Sequence, residues 1–520
     1  MNLNIRWGVG LVAALALTAC GGGGGGGGNG NLAALALMPM TQAPTAPSTP
    51  GPAQQDEPIV ASSTVAGLCA VSRQGIDPAT GAAFRDRAGT LADEKHWVRG
   101  WIDETYLWFD EVPGGLRADS YALPVDYFNV LKTPKKTATG RDKDRFHFTM
   151  NTADYQSQSV GLSIGYGMEL AFLKRTPPRD VRVAFVEPGA AAALAGVGRG
   201  VKLLEIDGVD VANGTDTSKL NAGLAPAKAG EVHTFKLGQL DGSTRAVTLT
   251  SADVALSPVQ NVKAFDTATG RVGYFQFNDH NEPSEAQLIA AINELGSRGI
   301  KDLVLDMRYN GGGILSIASE LAYMVASREA TDGKTFERLL FNSKNPFHLT
   351  LADATVPFLA VTQGYSAAPY QQLPQLGLQE VTVLTGPDTC SASESVVNGL
   401  RGVGVRVNLI GGATCGKPYA FVPQDNCGTT YFAIQFQGVN QQGFGDYGDG
   451  FQPDCTVADD FSHALGDPAE ALLAVALTRQ CDPYGTPKSK ASRQKASMAW
   501  EPLLNRSPAR QNRLIKDLRQ

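Results

Sequence analysis

The stretch DLVLDMRYNGGG, residues 302–313, contains the apolar run 303–305 and ends in three glycines. Residues 302–305 predict a buried strand, and the glycines predict a loop whose backbone can closely approach other groups. The loop lacks the Gly-Lys-Ser/Thr ending of a nucleotide P-loop. A strand, a glycine loop and a following helix together predict one unit of a layered α/β domain.

The segments on either side repeat this alternation. Strands are predicted at residues 272–277, 358–362, 381–384 and 405–410, and an amphipathic helix is predicted at residues 284–295, ended by Gly296. We therefore expect a multidomain α/β protein whose α/β core covers residues 265–480.

A different pattern precedes the core. Short apolar runs separated by turn residues predict strands at residues 181–186, 203–206, 233–237 and 246–249, with a short helix at residues 190–195. Residues 160–255 are therefore expected to form a small β-rich module.

Residues 64–155 are predicted to form an N-terminal helical domain. Asp93 is a candidate N-cap, and apolar residues from Trp97 to Phe109 follow near helical spacing before Pro113. The tryptophans on this helix suit core packing better than a ligand-binding stripe.

Both ends of the chain carry sequence that is not expected to join a core. Residues 1–20 have the features of an export signal, and Leu17-Thr18-Ala19-Cys20 resembles a bacterial lipobox whose cysteine becomes acylated. The alternative is an ordinary signal peptide with a chance cysteine. Residues 21–63 are rich in Gly and Pro and predict a flexible linker, and residues 482–520 predict a basic, disordered tail.

Composition and cysteine usage limit the classes of partner. A net charge of −6 argues against a nucleic-acid surface. Without Cys20, six cysteines remain, and export makes disulfides plausible; the absence of a Cys-x-x-Cys pair argues against zinc. We expect no metal and no cofactor. The six are Cys69, Cys390, Cys415, Cys427, Cys455 and Cys481.

Two loops of the core carry residues suited to nucleophilic catalysis. Ser391 follows a strand and a turn and opens a helix, where free N–H groups favour a developing oxyanion; the alternative is a simple N-cap. No histidine lies in a recognisable triad context. Lys417, in an uncharged glycine-rich loop after another strand, could act as the base if burial keeps it neutral.

Taken in order, these elements resemble the C-terminal processing peptidases, a serine protease family also called tail-specific proteases. The resemblance rests on Asp306-x-Arg308-x-Asn310-Gly-Gly-Gly, Ser391-Ala-Ser-Glu394 and Thr414-x-Gly416-Lys417. It implies that Ser391 attacks the scissile carbonyl and that Lys417 accepts its proton. It also implies an oxyanion hole from the N–H of Ala392 with that of Gly312 or Gly313, and supporting roles for Ser393, Glu394 and Thr414.

Within the β-rich module, Glu187-Pro188-Gly189 and Leu204-Glu205-Ile206-Asp207-Gly208 resemble a PDZ domain. That resemblance implies a groove for polypeptides with free C-termini. Its carboxylate loop is expected at Gly165, Tyr166, Gly167 and Met168. The expected function is proteolysis of envelope or periplasmic polypeptides near their C-termini by a protein that is lipid-anchored in the bacterial cell envelope. The resemblance to lipoproteins implies that a residue other than Asp after the cysteine, here Gly21, favours the outer membrane, facing the periplasm.

One departure from the family pattern leaves an alternative open. Many members carry a glutamine four residues after the lysine, and this chain has Phe421 there. A catalytically silent, PDZ-bearing lipoprotein that binds C-terminal tails as an adaptor is therefore the main alternative. The retention of both Ser391 and Lys417 argues against it.

Overall fold

The computed structural model describes residues 58–78 and 80–480. The predictions for the signal peptide, Cys20, most of the linker, Cys481 and the basic tail lie outside the described residues. Among the described residues, no helix has both the length and the apolar character needed to cross a bilayer.

The C-terminal part is an α/β core, in agreement with its alternating pattern. Its elements are β12 (Val259–Thr267), β13 (Gly270–Phe277), α7 (Ser284–Ser297), β14 (Asp302–Asp306), α8 (Leu315–Val325), α9 (Arg328–Thr331), β15 (Thr335–Phe341), β16 (Thr355–Pro357), β17 (Glu380–Thr385), α10 (Ala392–Gly402), β18 (Arg406–Gly411), β19 (Tyr419–Ala420), β20 (Gln424–Asn426), β21 (Thr429–Phe432), β22 (Phe436–Val439), β23 (Cys455–Thr456) and α11 (Ala471–Thr478). The central sheet has the order β12-β13-β14-β17-β18-β23, and its strands are parallel from β13 onward.

Helices cover both faces of this sheet. Leu303 and Leu305 of β14 pack with α7, α8 and α10 in the main hydrophobic cluster. Val304, between them, points to the opposite face and packs with Leu472 and Leu473 of α11. A strand buried on both faces favours apolar residues at successive positions, which explains the apolar run at residues 303–305.

The preceding residues form the β-rich module. Its elements are β4 (Leu162–Gly165), β5 (Met168–Lys174), β6 (Asp180–Val186), α5 (Ala191–Leu194), β7 (Lys202–Ile206), β8 (Val209–Asp210), α6 (Thr217–Leu224), β9 (Val232–Gly238), β10 (Thr244–Thr250) and β11 (Ala252–Ala255). The order β10-β9-β7-β6-β5 leaves β5 at one edge of the sheet. The module has its own hydrophobic cluster, which includes Phe172, Leu203 and Phe235.

The N-terminal region is helical but does not stand apart from the core. It contains α1 (Ser62–Val65), β1 (Leu68–Cys69), β2 (Arg87–Ala88), α2 (Leu91–Thr105), α3 (Pro124–Val130), β3 (Phe148–Asn151) and α4 (Thr152–Ser159). Trp97 and Trp101 are buried against Tyr431 of β21, so the prediction of core packing is confirmed. Strand β3 pairs with β21, which joins the N-terminal region to the core.

Four local predictions are wrong. The N-cap of α2 is Thr90, and Asp93 instead completes a capping box with it. The helix ends at Thr105, so Phe109 lies in a separate 3-10 turn. Residues 358–362 form no strand; the nearest strand, β16, ends at Pro357. The predicted linker, residues 21–63, extends too far, because Ser62 begins a helix and its backbone N–H donates a hydrogen bond to Glu104.

Candidate active site

Three loops meet at the carboxyl edge of the parallel sheet. The glycine loop follows β14, the Ser391 loop follows β17, and the Lys417 loop follows β18. Parallel neighbours end at the same edge, which is where open α/β sheets carry their ligand sites. The sheet therefore brings together residues that lie more than one hundred positions apart in the sequence.

Ser391 is the N-cap of α10 and has an unusual backbone conformation. Its φ is +55° and its ψ is −118°, and the residue is 6% exposed. A non-glycine residue with positive φ is uncommon, and such outliers cluster at functional sites. The carbonyl of Ser391 accepts the first helical bond from the N–H of Ser395 at 2.9 Å. The N–H groups of the first turn therefore lie next to the serine.

Glu394 ties the serine loop to the lysine loop. Its Oε2 accepts the backbone N–H of Ser391 at 3.1 Å and that of Lys417 at 2.8 Å. Its Oε1 accepts the N–H of Gly416 at 2.9 Å and the hydroxyl of Thr414. Burial raises the pKa of Glu394, and these donors oppose the rise. One buried carboxylate thus fixes the backbones that carry both predicted catalytic residues.

A disulfide makes the same connection covalently. Cys390 precedes the predicted nucleophile, Cys415 lies two residues before Lys417, and their Cα atoms are 5.2 Å apart. The sequence made disulfides plausible, and the structure shows this one. Cys69 and Cys427 form a second disulfide, between the N-terminal region and the core.

The glycine loop packs directly against the serine. A Cβ atom placed on Gly312 would lie 2.7 Å from the carbonyl oxygen of Cys390 and 2.8 Å from both the nitrogen of Ala392 and the Cβ of Ser391. The N–H of Gly312 donates to Oδ1 of Asn310 at 2.9 Å. Of the two predicted glycine donors, Gly312 is therefore engaged within its own loop.

His280 and Asn310 support this loop. Nδ2 of Asn310 donates to the carbonyl of Phe277 at 3.0 Å, and Nδ1 of His280 lies 3.0 Å from Oδ1 of Asn310. Burial lowers the pKa of His280 to about 3, so the ring is neutral and its Nδ1–H is the donor. Nothing in the sequence distinguished His280 from the other histidines.

The side chain of Lys417 lies in an apolar environment. Burial lowers the pKa of Lys417 to about 7, and the carboxylates of Asp144 and Glu394 oppose this shift. Its Nζ lies 4.1 Å from the ring centroid of Phe421 and 5.3 Å from that of Phe146. A lysine with this pKa is neutral in a large fraction of molecules near pH 7, as a general base must be.

The lysine loop is braced by a residue that the sequence did not reveal. Nη2 of Arg145 donates to the carbonyls of Cys415 at 2.7 Å, Gly416 at 3.0 Å and Gly448 at 3.0 Å. Arg145 lies in the N-terminal region, 270 to 303 positions earlier in the chain than its partners. No local motif links these residues, which is why sequence reasoning missed Arg145.

Ser393 is buried and its hydroxyl is engaged. Its Oγ donates to the carbonyl oxygen of Asn310 at 3.0 Å. This bond joins α10 to the glycine loop, which suits the supporting role expected for Ser393 better than that of a nucleophile.

The predicted carboxylate loop occupies the start of the β-rich module's edge strand. Gly165 ends β4 and Met168 begins β5. Gly167 has a φ of +72°, and a Cβ there would lie 2.2 Å from the Cβ of Ala190. The Tyr166 ring is buried against Phe235, so its side chain belongs to the module's core.

A buried network joins the module to the glycine loop. Arg199 of the module donates to Oη of Tyr309 at 2.7 Å and to Oδ1 of Asp459 at 2.6 Å. Asp459 Oδ1 also accepts from Arg308 at 2.7 Å, and Arg308 pairs with Glu470. Tyr309 directly precedes Asn310, so the module contacts the backbone that leads into the glycine loop.

The donor set offers little to a metal. Among the described residues, one group of acidic, cysteine or histidine side chains is compact enough to hold an ion, and it comprises Cys390, Glu394 and Cys415. Its two sulfurs are bonded to each other, and the carboxylate accepts the hydrogen bonds described above.

Two segments of this chain match models of known protein families. Residues 93–148 match the peptidase S41 N-terminal domain, and residues 271–457 match peptidase family S41. Both regions are therefore similar to those of S41 peptidases. A carboxyl-terminal-processing protease of Picosynechococcus sp. is 26% identical over 346 residues, which cover 64% of this chain and 74% of that protein. The chloroplastic C-terminal processing peptidase of Tetradesmus obliquus is 29% identical over 238 residues, covering 44% of this chain and 48% of the relative.

A solved structure supports the S41 fold. The structure of a putative S41 protease from Bacteroides fragilis superposes with a TM-score of 0.57 at 22% identity, covering 74% of this chain and 96% of that one. At this identity the likeness shows the fold alone. The S41 homologues together support a serine-type peptidase that cleaves polypeptides near their C-termini.

Proposed function

We propose that this S41 homologue is a serine endopeptidase that uses Ser391 as nucleophile and Lys417 as general base. The observation that carries the proposal is the shared acceptor: the backbone N–H groups of both residues donate to one oxygen of Glu394. The nucleophile and the base thus belong to loops in direct contact, and the base lies in a pocket that favours its neutral form.

The chemistry follows from these positions. Neutral Lys417 takes the proton from Ser391 as its Oγ attacks the scissile carbonyl. The N–H groups of Ala392 and Gly313 stabilise the tetrahedral oxyanion at the start of α10. Collapse expels the amine, which takes the proton from Lys417, and water then releases the acyl group by the same steps. No cofactor takes part.

The test of the nucleophile is a single substitution with a serine control. Ser391→Ala should abolish cleavage of an unfolded polypeptide without unfolding the protein, whereas Ser462→Ala, at an exposed loop position, should not slow it. Normal cleavage by Ser391→Ala would overturn the assignment of Ser391 as nucleophile. If cleavage were lost in Ser393→Ala and kept in Ser391→Ala, Ser393 would be the nucleophile. Absence of cleavage by the unaltered chain, with retained tail binding, would favour the adaptor alternative.

For the substrate we propose chains with a free C-terminal carboxylate and an apolar last residue, held by the β-rich module acting as a PDZ domain. The support is that β5 is an edge strand, able to add a peptide strand, and that it starts at Met168 beside the positive-φ Gly167. Free-acid peptides should be cut roughly ten-fold faster than their amidated forms, since a charge-assisted hydrogen bond contributes about 1.5–3 kcal/mol. Equal rates would refute tail recognition.

We further propose that the protein is lipid-anchored through Cys20 at the outer membrane, facing the periplasm. The lipobox-like Leu17 to Cys20 motivates this location, and the disulfides of the described residues suit an oxidising compartment. The full chain should fractionate with membranes and Cys20→Ser should not. An unmodified mature N-terminus at another residue would contradict the anchor.

A further inference from the structure

The base pocket is closed by two phenylalanine rings from distant parts of the chain. Phe421 belongs to the lysine loop, and its ring centroid lies 4.1 Å from Nζ of Lys417. Phe146 belongs to the N-terminal region, and its centroid lies 5.3 Å from the same atom. Both rings are at most 5% exposed. The amine is thus flanked by aromatic rings at the distance of cation–π contacts.

No hydrogen bond orients this amine. Within residues 58–78 and 80–480, Nζ of Lys417 donates to no side chain or carbonyl, although the backbone N–H of the same residue does donate to Glu394. A base needs a fixed direction to reach its proton. The ring faces are therefore the contacts that can hold the amine in place, either as an ammonium over the rings or as N–H groups directed at them.

Each ring is itself held firmly. Phe421 packs edge-on against Phe148 and Phe432 in a buried aromatic cluster. Phe146 follows Arg145, whose guanidinium bonds to three carbonyls around the lysine loop. The pocket is therefore assembled only when the N-terminal region is docked on the core.

We propose that Phe421 and Phe146 are positioning residues that hold Lys417 in place through their ring faces, in the role that a hydrogen-bonding side chain would otherwise fill. The proposal rests on the proposed function, in which Lys417 is the general base. It explains why Phe421 can occupy this position without loss of the base.

The charge balance around the pocket fixes the direction of the expected effect. The carboxylates of Asp144 and Glu394 favour the charged lysine, and burial disfavours it. Asp144 is held by Oη of Tyr106 at 2.6 Å and lies beside His147. Further titratable or charged groups around the lysine loop include Arg141, Arg145, Tyr419, Asp446 and Asp449. An aromatic face also favours the cation, so removal of a ring should make the amine easier to deprotonate.

The experiment compares Phe421→Leu, Phe421→Gln and the matched control Phe432→Leu in the full chain. Phe432 lies in the same buried cluster but not over Lys417, so its loss perturbs packing alone. Two readouts are measured: the pH profile of kcat/KM with kcat at its plateau, and the protonation of Lys417 itself. The second uses competitive acetylation by acetic anhydride across pH, followed by mass spectrometry, in a Ser391→Ala background.

Phe421→Leu should lower the acetylation midpoint of Lys417 by about one pH unit and the plateau kcat about ten-fold. Phe421→Gln should recover most of kcat, because its amide oxygen can accept a hydrogen bond from the amine. Phe432→Leu should change neither readout. If Phe421→Leu fails to fold, Phe146→Leu should give a smaller shift of the same sign.

Equal midpoints and equal kcat in Phe421→Leu and Phe432→Leu would overturn the positioning role. Failure of the proposed function looks different, because the unaltered chain would not cleave or Ser391→Ala would cleave normally. The acetylation midpoint is independent of cleavage, so the ring contact is tested in either case.

Discussion

Gly312→Ala is the substitution that most sharply probes the contact between the glycine loop and the nucleophile. Gly312 has a φ of +93°, and the new Cβ would lie 2.7–2.8 Å from Cys390, Ser391 and Ala392. The positive φ costs roughly 1–2 kcal/mol, and forcing atoms into a packed site costs about 1–3 kcal/mol more. We therefore expect a loss of about 2–5 kcal/mol in the free energy of unfolding.

The matched control is Gly299→Ala. Gly299 also has a positive φ, +68°, but a Cβ there would meet nothing within 4 Å. Gly299→Ala should therefore lower the free energy of unfolding only by the cost of the positive φ, roughly 1–2 kcal/mol. The difference between the two variants isolates the contact with the serine loop.

The assay combines urea denaturation with kcat/KM for an unfolded polypeptide. A displacement of the serine by about 1 Å should lower kcat/KM at least about 100-fold in Gly312→Ala, while Gly299→Ala should remain near the unaltered protein. A Gly312→Ala protein as stable and as active as Gly299→Ala would refute the packing of this loop on Ser391.

Three further predictions concern the charges and covalent links around the site. The kcat/KM of the unaltered chain should rise with pH through a midpoint near 7 and then level off. Burial lowers the pKa of Lys417 to about 7, and the neutral amine is the active form. A kcat/KM profile that is flat from pH 5 to 9 would contradict this. Replacing Cys390 and Cys415 with Ala should lower both the melting temperature and kcat, whereas the same change at Cys69 and Cys427 should lower mainly the melting temperature. Each disulfide is expected to contribute about 2–4 kcal/mol to the free energy of unfolding. An unchanged kcat in the variant without Cys390 and Cys415 would show that the catalytic loops need no covalent link. Arg199→Ala should lower the free energy of unfolding, measured by urea denaturation, by about 3 kcal/mol because Asp459 loses a buried partner. Arg182→Ala, which breaks a more exposed pair with Asp180, should lower it by under about 1 kcal/mol. Equal losses in the two variants would contradict the buried network.

The α/β core was predictable because its signals are local. A short apolar run followed by a glycine loop identified β14 and its loop, and the same logic located β17 and β18 to within one residue at each end. The parallel order of these strands then explains why the loops carrying Asn310, Ser391 and Lys417 meet. Residues 358–362 failed as a strand because a short apolar run can also be extended chain with only an isolated bridge, here between Val361 and Gln372.

The surroundings of the base were not predictable, because they depend on contacts between distant segments. Phe146 and Arg145 come from the N-terminal region, and no pattern within either segment indicates that one docks on the other. Phe421 was recognised only as a departure from a family pattern, because its ring contact with Lys417 depends on how the lysine loop folds. His280 was missed for the same reason, since its partner Asn310 is thirty positions away.

The central claim is that Ser391 and Lys417 act as one catalytic unit, and a double-mutant cycle on kcat/KM at pH 8 tests it most directly. Ser391→Ala, Lys417→Ala and the double variant are compared with the unaltered chain, and circular dichroism verifies that each is folded. Each single variant should lose at least about 10⁴-fold in kcat/KM, and the double variant should lose no more than either single one, because a unit already broken has nothing further to lose. Losses that multiply in the double variant, or cleavage retained by Ser391→Ala, would contradict the account.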